Sequence, residues 1–287
     1  LSELSVANAV ILGVLQGLTE FLPVSSSGHL LLARELLDIS LPGLSFEVML
    51  HVGTALAVVV VLRREIASIL RSLLRWERAR PGFDLAWRIV LASVPAVLAA
   101  GLLGSFIQTR LAVPRVAAAM LLVTAAMLMF GTRGIRSPRT AAARRGRRQP
   151  APSTRSRYPV RSDVPAPASA LWIGIAQAVA IVPGISRSGS TVVAGLRCGL
   201  SRDAAARFSL LLSLPVIFGG AVLDGVGLLR EGTMLLAWAP ALAGVAAAFV
   251  SGLASASLLL AVVRRAKLGW FGLYCAVAGI IGLWLTR

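Results

Sequence analysis

The sequence predicts an all-α polytopic membrane protein, with six transmembrane helices and two re-entrant helical hairpins arranged as an inverted repeat. Three observations carry that prediction. Of 287 residues, 57% are hydrophobic and 14% charged, at a mean hydropathy of +0.81; this is too apolar for one soluble domain, and the apolar residues fall into blocks of membrane-spanning length. The arginines gather in a few stretches between those blocks. Two stretches, 16–29 and 183–191, place polar groups and helix breakers inside apolar sequence, where each must find a partner or a function.

The first block, 4–22, is helical by pattern, and Gly13 and Gly17 in it permit close helix contact. It breaks at Pro23. The arm that follows, 30–37, is too short to cross ~30 Å of hydrocarbon, so the two arms read as a re-entrant hairpin with its tip inside the protein. Full spans are expected at 46–62, 86–106 and 112–130. Residues 131–168 are packed with Arg, Pro and Ser and are expected to form a disordered linker. The run 171–182, a break at Pro183 and Gly184, and a return arm 191–200 form the second hairpin. Spans at 208–229, 234–263 and 268–285 complete the chain, the middle one carrying Gly244, Ala248, Gly252 and Ala256 as a small-residue packing stripe. The units are therefore 1–130, the linker 131–168, and 169–287.

The formal net charge is +17, and Lys267 is the single lysine among 29 basic residues. Positive-inside topology and anionic headgroups account for these charges better than nucleic acid does, and no nucleic-acid partner is expected. The arginines of 63–88 and 133–161 are separated by two spans and so share a side with Arg264, Arg265 and Lys267. That side is cytoplasmic by the positive-inside rule, which puts both termini and the acidic loop 34–47 outside. Cys198 and Cys275 give no sign of a disulfide framework or a thiolate metal site. The first apolar run has no basic leader and contains Glu20, so no cleavable signal is expected.

Shifting the chain by 161 positions superposes the two hairpins without a gap. Gly13 falls on Gly174, Gln16 on Gln177, Ser25 on Ser186, Ser27 on Ser188, Gly28 on Gly189 and Ala33 on Ala194. Three spans lie between the hairpins, and an odd number of crossings inverts the second copy. Inverted broken helices that meet near the midplane build polar sites inside membranes, so the two tips are expected to face each other.

Gln16 and Glu20 are four apart and project from one helix face towards the first tip. Glu20 is read as a metal ligand or proton-transfer group, against the plainer reading of a turn-capping carboxylate. Ser25, Ser26, Ser27 and Gly28 can cradle an anion with hydroxyls and backbone N–H groups, and His29 beside them is suited to moving a proton. The second tip supplies Arg187 as a planar fork for phosphate oxygens, with Ser186, Ser188, Gly189 and Thr191 around it. Glu20 falls on Ile181 and Arg187 on Ser26, so acid–base or metal work is expected of the first hairpin and phosphate clamping of the second. Glu47 and His51, also four apart, either extend the site or satisfy each other; Asp224 is read as interfacial.

These motifs resemble the undecaprenyl-diphosphate phosphatase family, the integral-membrane type associated with bacitracin resistance. The resemblance rests on Gln16 and Glu20 with the Leu-Pro-Val-Ser-Ser-Ser-Gly-His turn that follows, on Pro-Gly-Ile-Ser-Arg-Ser-Gly-Ser-Thr at 183–191, and on Phe46, Glu47, Val48, Gly53 and Thr54. It implies hydrolysis of a polyprenyl diphosphate to the monophosphate and inorganic phosphate in a bacterial inner membrane, with a divalent cation, Mg2+ or Ca2+. It implies further that Glu20, His29, Ser26 or Ser27, and Arg187 are essential and that the site opens outward. Gln16 stands where the family often has Glu, so a two-carboxylate metal site is not expected. A homodimer is compatible with the pattern. The rival reading is a transporter or flippase that binds the same phosphate without turnover.

Overall fold

A computed structural model describes residues 4–39, 44–135, 163–231, 238–265 and 267–286. The central part of the expected linker, 136–162, lies outside the described residues, as does the side chain of Asp224. Among the described residues the chain forms eleven α-helices: α1 (Val6–Phe21), α2 (Ser26–Leu36), α3 (Leu44–Val61), α4 (Arg63–Leu74), α5 (Pro81–Phe106), α6 (Pro114–Phe130), α7 (Pro167–Val179), α8 (Arg187–Arg197), α9 (Arg202–Glu231), α10 (Trp238–Arg264) and α11 (Leu268–Leu285). A five-residue π turn, Ile107–Leu111, extends α5.

Six spans are expected from the sequence, whereas length and apolarity alone qualify four: Pro81–Leu111, Arg202–Leu223, Trp238–Arg264 and Leu268–Leu285. A fifth arises if α3 and α4, bent by 83°, count as one. The remaining expected span is α6, which has 17 residues and is about 25 Å long at 1.5 Å per residue.

The arginine-rich stretch 63–88, read as a loop, is instead largely helical. Ile66, Ile69, Leu70 and Leu73 recur at helical spacing between its arginines, and Ile66 and Ile69 pack on the main core. Charges that mark a loop in a hydropathy profile equally suit a helix with one wet face. Pro81 then starts α5 at its first turn, where a missing N–H costs nothing.

Both hairpins form around their prolines. In the first, α1 and α2 are separated by 22–25; in the second, α7 and α8 are separated by 180–186. The short arms α2 and α8 have 11 residues each and begin and end 161 positions apart. Each is capped by a serine: the Ser25 hydroxyl accepts from the Gly28 N–H at 3.4 Å, and that of Ser186 from the Gly189 N–H at 3.1 Å.

The long arms pack across the chain. On α10, Gly244, Ala248, Gly252 and Ala256 are all buried, and α1 lies against them. A Cβ at Gly13 would stand 2.3 Å from the Gly244 carbonyl oxygen, and one at Gly17 would stand 1.9 Å from Ser251 Oγ. Ser251 and Ser255 donate to the carbonyls of Gly13 and Gly17. The same close approach joins α7 to α5, where a Cβ at Gly174 would stand 2.4 Å from the Ala92 carbonyl oxygen. Small residues let helix backbones approach where no hydrophobic effect drives them together.

At the arginine-rich end, Arg207 on α9 pairs with Glu65 on α4 and, at 2.7 Å, with Asp203. Asp203 in turn pairs with Arg264 on α10 at 2.6 Å.

Candidate active site

Helical periodicity places Gln16 and Glu20 on the buried face of α1, one turn beyond Gly13 and Gly17. The Glu20 carboxylate is 6% exposed and is held from three directions. Gln16 Nε2 donates to its Oε2 at 2.9 Å, and Ser26 Oγ donates to the same oxygen at 2.6 Å. Arg187 Nη2 donates to Oε1 at 2.6 Å. A carboxylate at this depth requires such partners, and the low dielectric strengthens each of them.

The hairpin tips meet around this pair. A Cβ at Gly28 would stand 3.0 Å from the Cα of Gly184, which itself adopts φ 93. Ser188 Oγ donates to the Leu22 carbonyl at 3.0 Å. Thr124 of α6 fastens the second tip: its hydroxyl donates to the Gly184 carbonyl at 2.8 Å and accepts from the Ser186 N–H at 3.0 Å. Ser25, the cap of α2, has φ 71, a conformation that costs a residue with a side chain about 1–3 kcal/mol and is typical of functional turns.

A cavity of about 300 Å3 opens beside the tips. Glu20, Ser25, Ser26, Ser27, His51, Gln177, Ser186 and Arg187 supply its polar lining. Its apolar walls come from Ala96 and Ala100 of α5 and from Val216, Ile217, Gly220 and Ala221 of α9. A pocket that combines convergent polar groups with apolar walls suits an amphiphile with an anionic head.

The other expected site residues are placed differently. Gln16 supports Glu20 from α1. Gly28 and Gly189 shape the tips, and Thr191 bonds Ser209 Oγ at 2.6 Å, tying α8 to α9. His29 is absent from the cavity lining. Its Nδ1 lies 2.8 Å from the Ser25 carbonyl and its Nε2 lies 2.8 Å from the hydroxyl of Tyr274 on α11, whose ring stacks on the imidazole at 5.5 Å. The carbonyl can only accept, so Nδ1 carries a proton and neutral His29 accepts the Tyr274 hydroxyl at Nε2.

The pair Glu47 and His51 is divided. Glu47 pairs with Arg34 at 2.7 Å, while His51 lines the cavity with its Nε2 at 3.5 Å from Glu20 Oε2. Its Nδ1 donates to the Glu47 carbonyl at 2.8 Å, so Nε2 meets Glu20 favourably only when it too carries a proton. Thr124 and Tyr274 escaped sequence reasoning; a lone hydroxyl in α6 and one of only two tyrosines in the chain were the available signals. Among the described residues, no cluster of three or more His, Cys, Asp or Glu side chains could hold a metal.

Fold and site define a multi-pass helical membrane protein built around an ion-paired, hydroxyl-rich centre. The family model described as "Bacitracin resistance protein BacA" matches residues 9–281, and the chain belongs to that family. Similar proteins include one named undecaprenyl-diphosphatase from Desulfosudis oleivorans, 39% identical over 96% of this chain and 97% of its own length. Another of the same name, from Chromohalobacter salexigens, is 38% identical over 96% of each chain. A third, from Trichlorobacter lovleyi, is 38% identical over 95% of this chain and 94% of its own.

Proposed function

We propose that the protein hydrolyses undecaprenyl diphosphate to undecaprenyl phosphate and inorganic phosphate, returning the lipid carrier to cell-wall synthesis. The observation that carries this reading is the Glu20–Arg187 pair at 2.6 Å, set among serine hydroxyls in a cavity with apolar walls. The full-length similarity to proteins of that name agrees with it.

Phosphoryl transfer needs in-line positioning and neutralised oxygens more than covalent machinery. Arg187 neutralises the diphosphate oxygens, with the hydroxyls of Ser25, Ser27 and Ser186 as further donors. Glu20 fixes both Arg187 and Ser26 before substrate arrives. Proton handling falls to Glu20 and an imidazole: His51 already lines the cavity, and His29 reaches it only by giving up Tyr274. The small residues of α5 and α9 accommodate the start of the prenyl chain.

A carboxylate has about four acceptor sites, and Gln16, Ser26 and Arg187 use three of those on Glu20. One site is left, at which Glu20 would take a share in holding Mg2+ or Ca2+. When bound, the cation would withdraw charge from the leaving phosphate.

The reading also includes six spans with two re-entrant hairpins in an inverted repeat, 1–130 and 169–287, both termini outside and the cavity opening outward. The matched bounds of α2 and α8, and the packing of α1 on α10 and α7 on α5, support the repeat.

Phosphate release by purified protein supplied with undecaprenyl diphosphate and Mg2+ or Ca2+ tests the function. Turnover is expected; binding without release by well-folded protein would favour a lipid transporter instead.

A further inference from the structure

The 161-position offset places Gln177, on α7, where Gln16 stands on α1. Gln16 finds its partner one turn further on, donating to Glu20 at 2.9 Å. The corresponding position, just past the end of α7, is Ile181, so the amide of Gln177 has no carboxylate to meet there. Its side chain is nonetheless buried, at 2% exposure. Among the described residues neither Nε2 nor Oε1 of Gln177 has a hydrogen-bond partner, and no other buried side chain among them is left with both polar ends open.

Burying an unpaired amide is unfavourable, and a methionine or leucine would fill the same volume without that cost. A buried polar group that the fold leaves unpaired implies a partner the fold does not supply. Gln177 lines the same cavity as Glu20, Ser26 and Arg187. A partner that enters this cavity must accept from one amide atom and donate to the other. A phosphate oxygen meets the first requirement, and a water or a protonated phosphate oxygen meets the second.

We propose that Gln177 is a substrate-binding residue, its Nε2 donating to a diphosphate oxygen beside Arg187 and its Oε1 accepting from a water or protonated phosphate oxygen. The proposal rests on the diphosphatase reading for its substrate but not for its chemistry. Gln177 adds a directional contact without charge, where Arg187 adds charge.

The test compares the full-length wild type with Gln177→Met, which keeps the length and removes the polar atoms, and with Gln177→Glu, which keeps the shape and adds an anion. Pyrophosphate binding is measured by calorimetry, turnover with a polyprenyl diphosphate, and ligand-free thermal midpoints in detergent. Gln177→Met is expected to keep or raise the midpoint while weakening pyrophosphate binding roughly 10- to 100-fold, the size of one hydrogen bond to a charged group. Gln177→Glu is expected to bind more weakly still, and both variants to raise KM. Pyrophosphate affinity within twofold of wild type in both variants overturns the proposal, and so does a wild type that binds no pyrophosphate. Misfolding of Gln177→Met overturns it as well, because an amide needed by the fold is not reserved for a ligand. A wild type that binds pyrophosphate through Gln177 yet releases no phosphate from lipid refutes the diphosphatase reading and leaves the contact standing.

Discussion

The Glu20 carboxylate and the Arg187 guanidinium meet at 2.6 Å and join the two hairpin tips across 167 positions of sequence. Their side chains are 4% and 17% exposed, so removing either strands a charge in a poorly hydrated place, at a cost of about 3–5 kcal/mol. Glu20→Ala and Arg187→Ala are each expected to abolish phosphate release and to lower the thermal midpoint. The double variant Glu20→Leu/Arg187→Met is expected to regain much of the midpoint and none of the turnover. Denaturation and phosphate release measured on all three check this; a double variant less stable than both singles would contradict the pairing.

The two histidines are expected to separate by phenotype. His51 faces Glu20 across 3.5 Å in the cavity, so His51→Ala should lower turnover by roughly 100-fold, the lower end for a general acid or base, with little change in midpoint. His29 Nε2 and the Tyr274 hydroxyl share a part-buried hydrogen bond of 2.8 Å. Tyr274→Phe leaves Nε2 of the imidazole without this partner and should cost about 0.5–1.5 kcal/mol, the net worth of a typical hydrogen bond, read as a lower midpoint with a smaller loss of turnover than His51→Ala shows.

Two glycine substitutions probe the packing. A Cβ at Gly17 would stand 1.9 Å from Ser251 Oγ and 2.5 Å from the Ala248 carbonyl oxygen. The second of these is backbone and cannot step aside, so Gly17→Ala is expected to sharply reduce the yield of folded protein. At Gly101, within α5, a Cβ would meet nothing within 4 Å. Gly101→Ala is expected to stabilise by about 0.5–1 kcal/mol through helix propensity. Monodisperse yield and thermal midpoint distinguish the two.

Orientation is tested with Ser153→Cys in a background lacking Cys198 and Cys275. An impermeant thiol reagent is expected to label it in inverted vesicles and not in intact cells. Labelling in intact cells would reverse the proposed topology.

Much of the site was legible because the chemistry that forms it violates its surroundings. Glu20, Arg187 and the serine turns stand out in apolar sequence, and the offset that aligns Ser25 with Ser186 already named the two segments whose tips touch. What stayed hidden depended on direction. Spacing gives Glu47 and His51 one helix face, but only packing shows that Glu47 turns to Arg34 and His51 to Glu20. The partner of His29, Tyr274, lies 245 positions away, beyond any local pattern. The helix α4 was missed because a hydropathy profile weighs its arginines and not the face they occupy.

The embrace of α1 by α10 has a consequence for how the protein is made. The serine on α10 that donates to the Gly17 carbonyl lies 238 positions further along the chain. At ~5–20 residues per second, the ribosome reaches it roughly 10–50 s after α1 has emerged. Throughout that interval the polar face that carries Gln16 and Glu20 lacks its helix partner, and until Arg187 is made, 167 positions after Glu20, it lacks that partner as well. The packing of α1 is therefore among the last to be completed, and the nascent chain must be sheltered until α10 has entered the membrane.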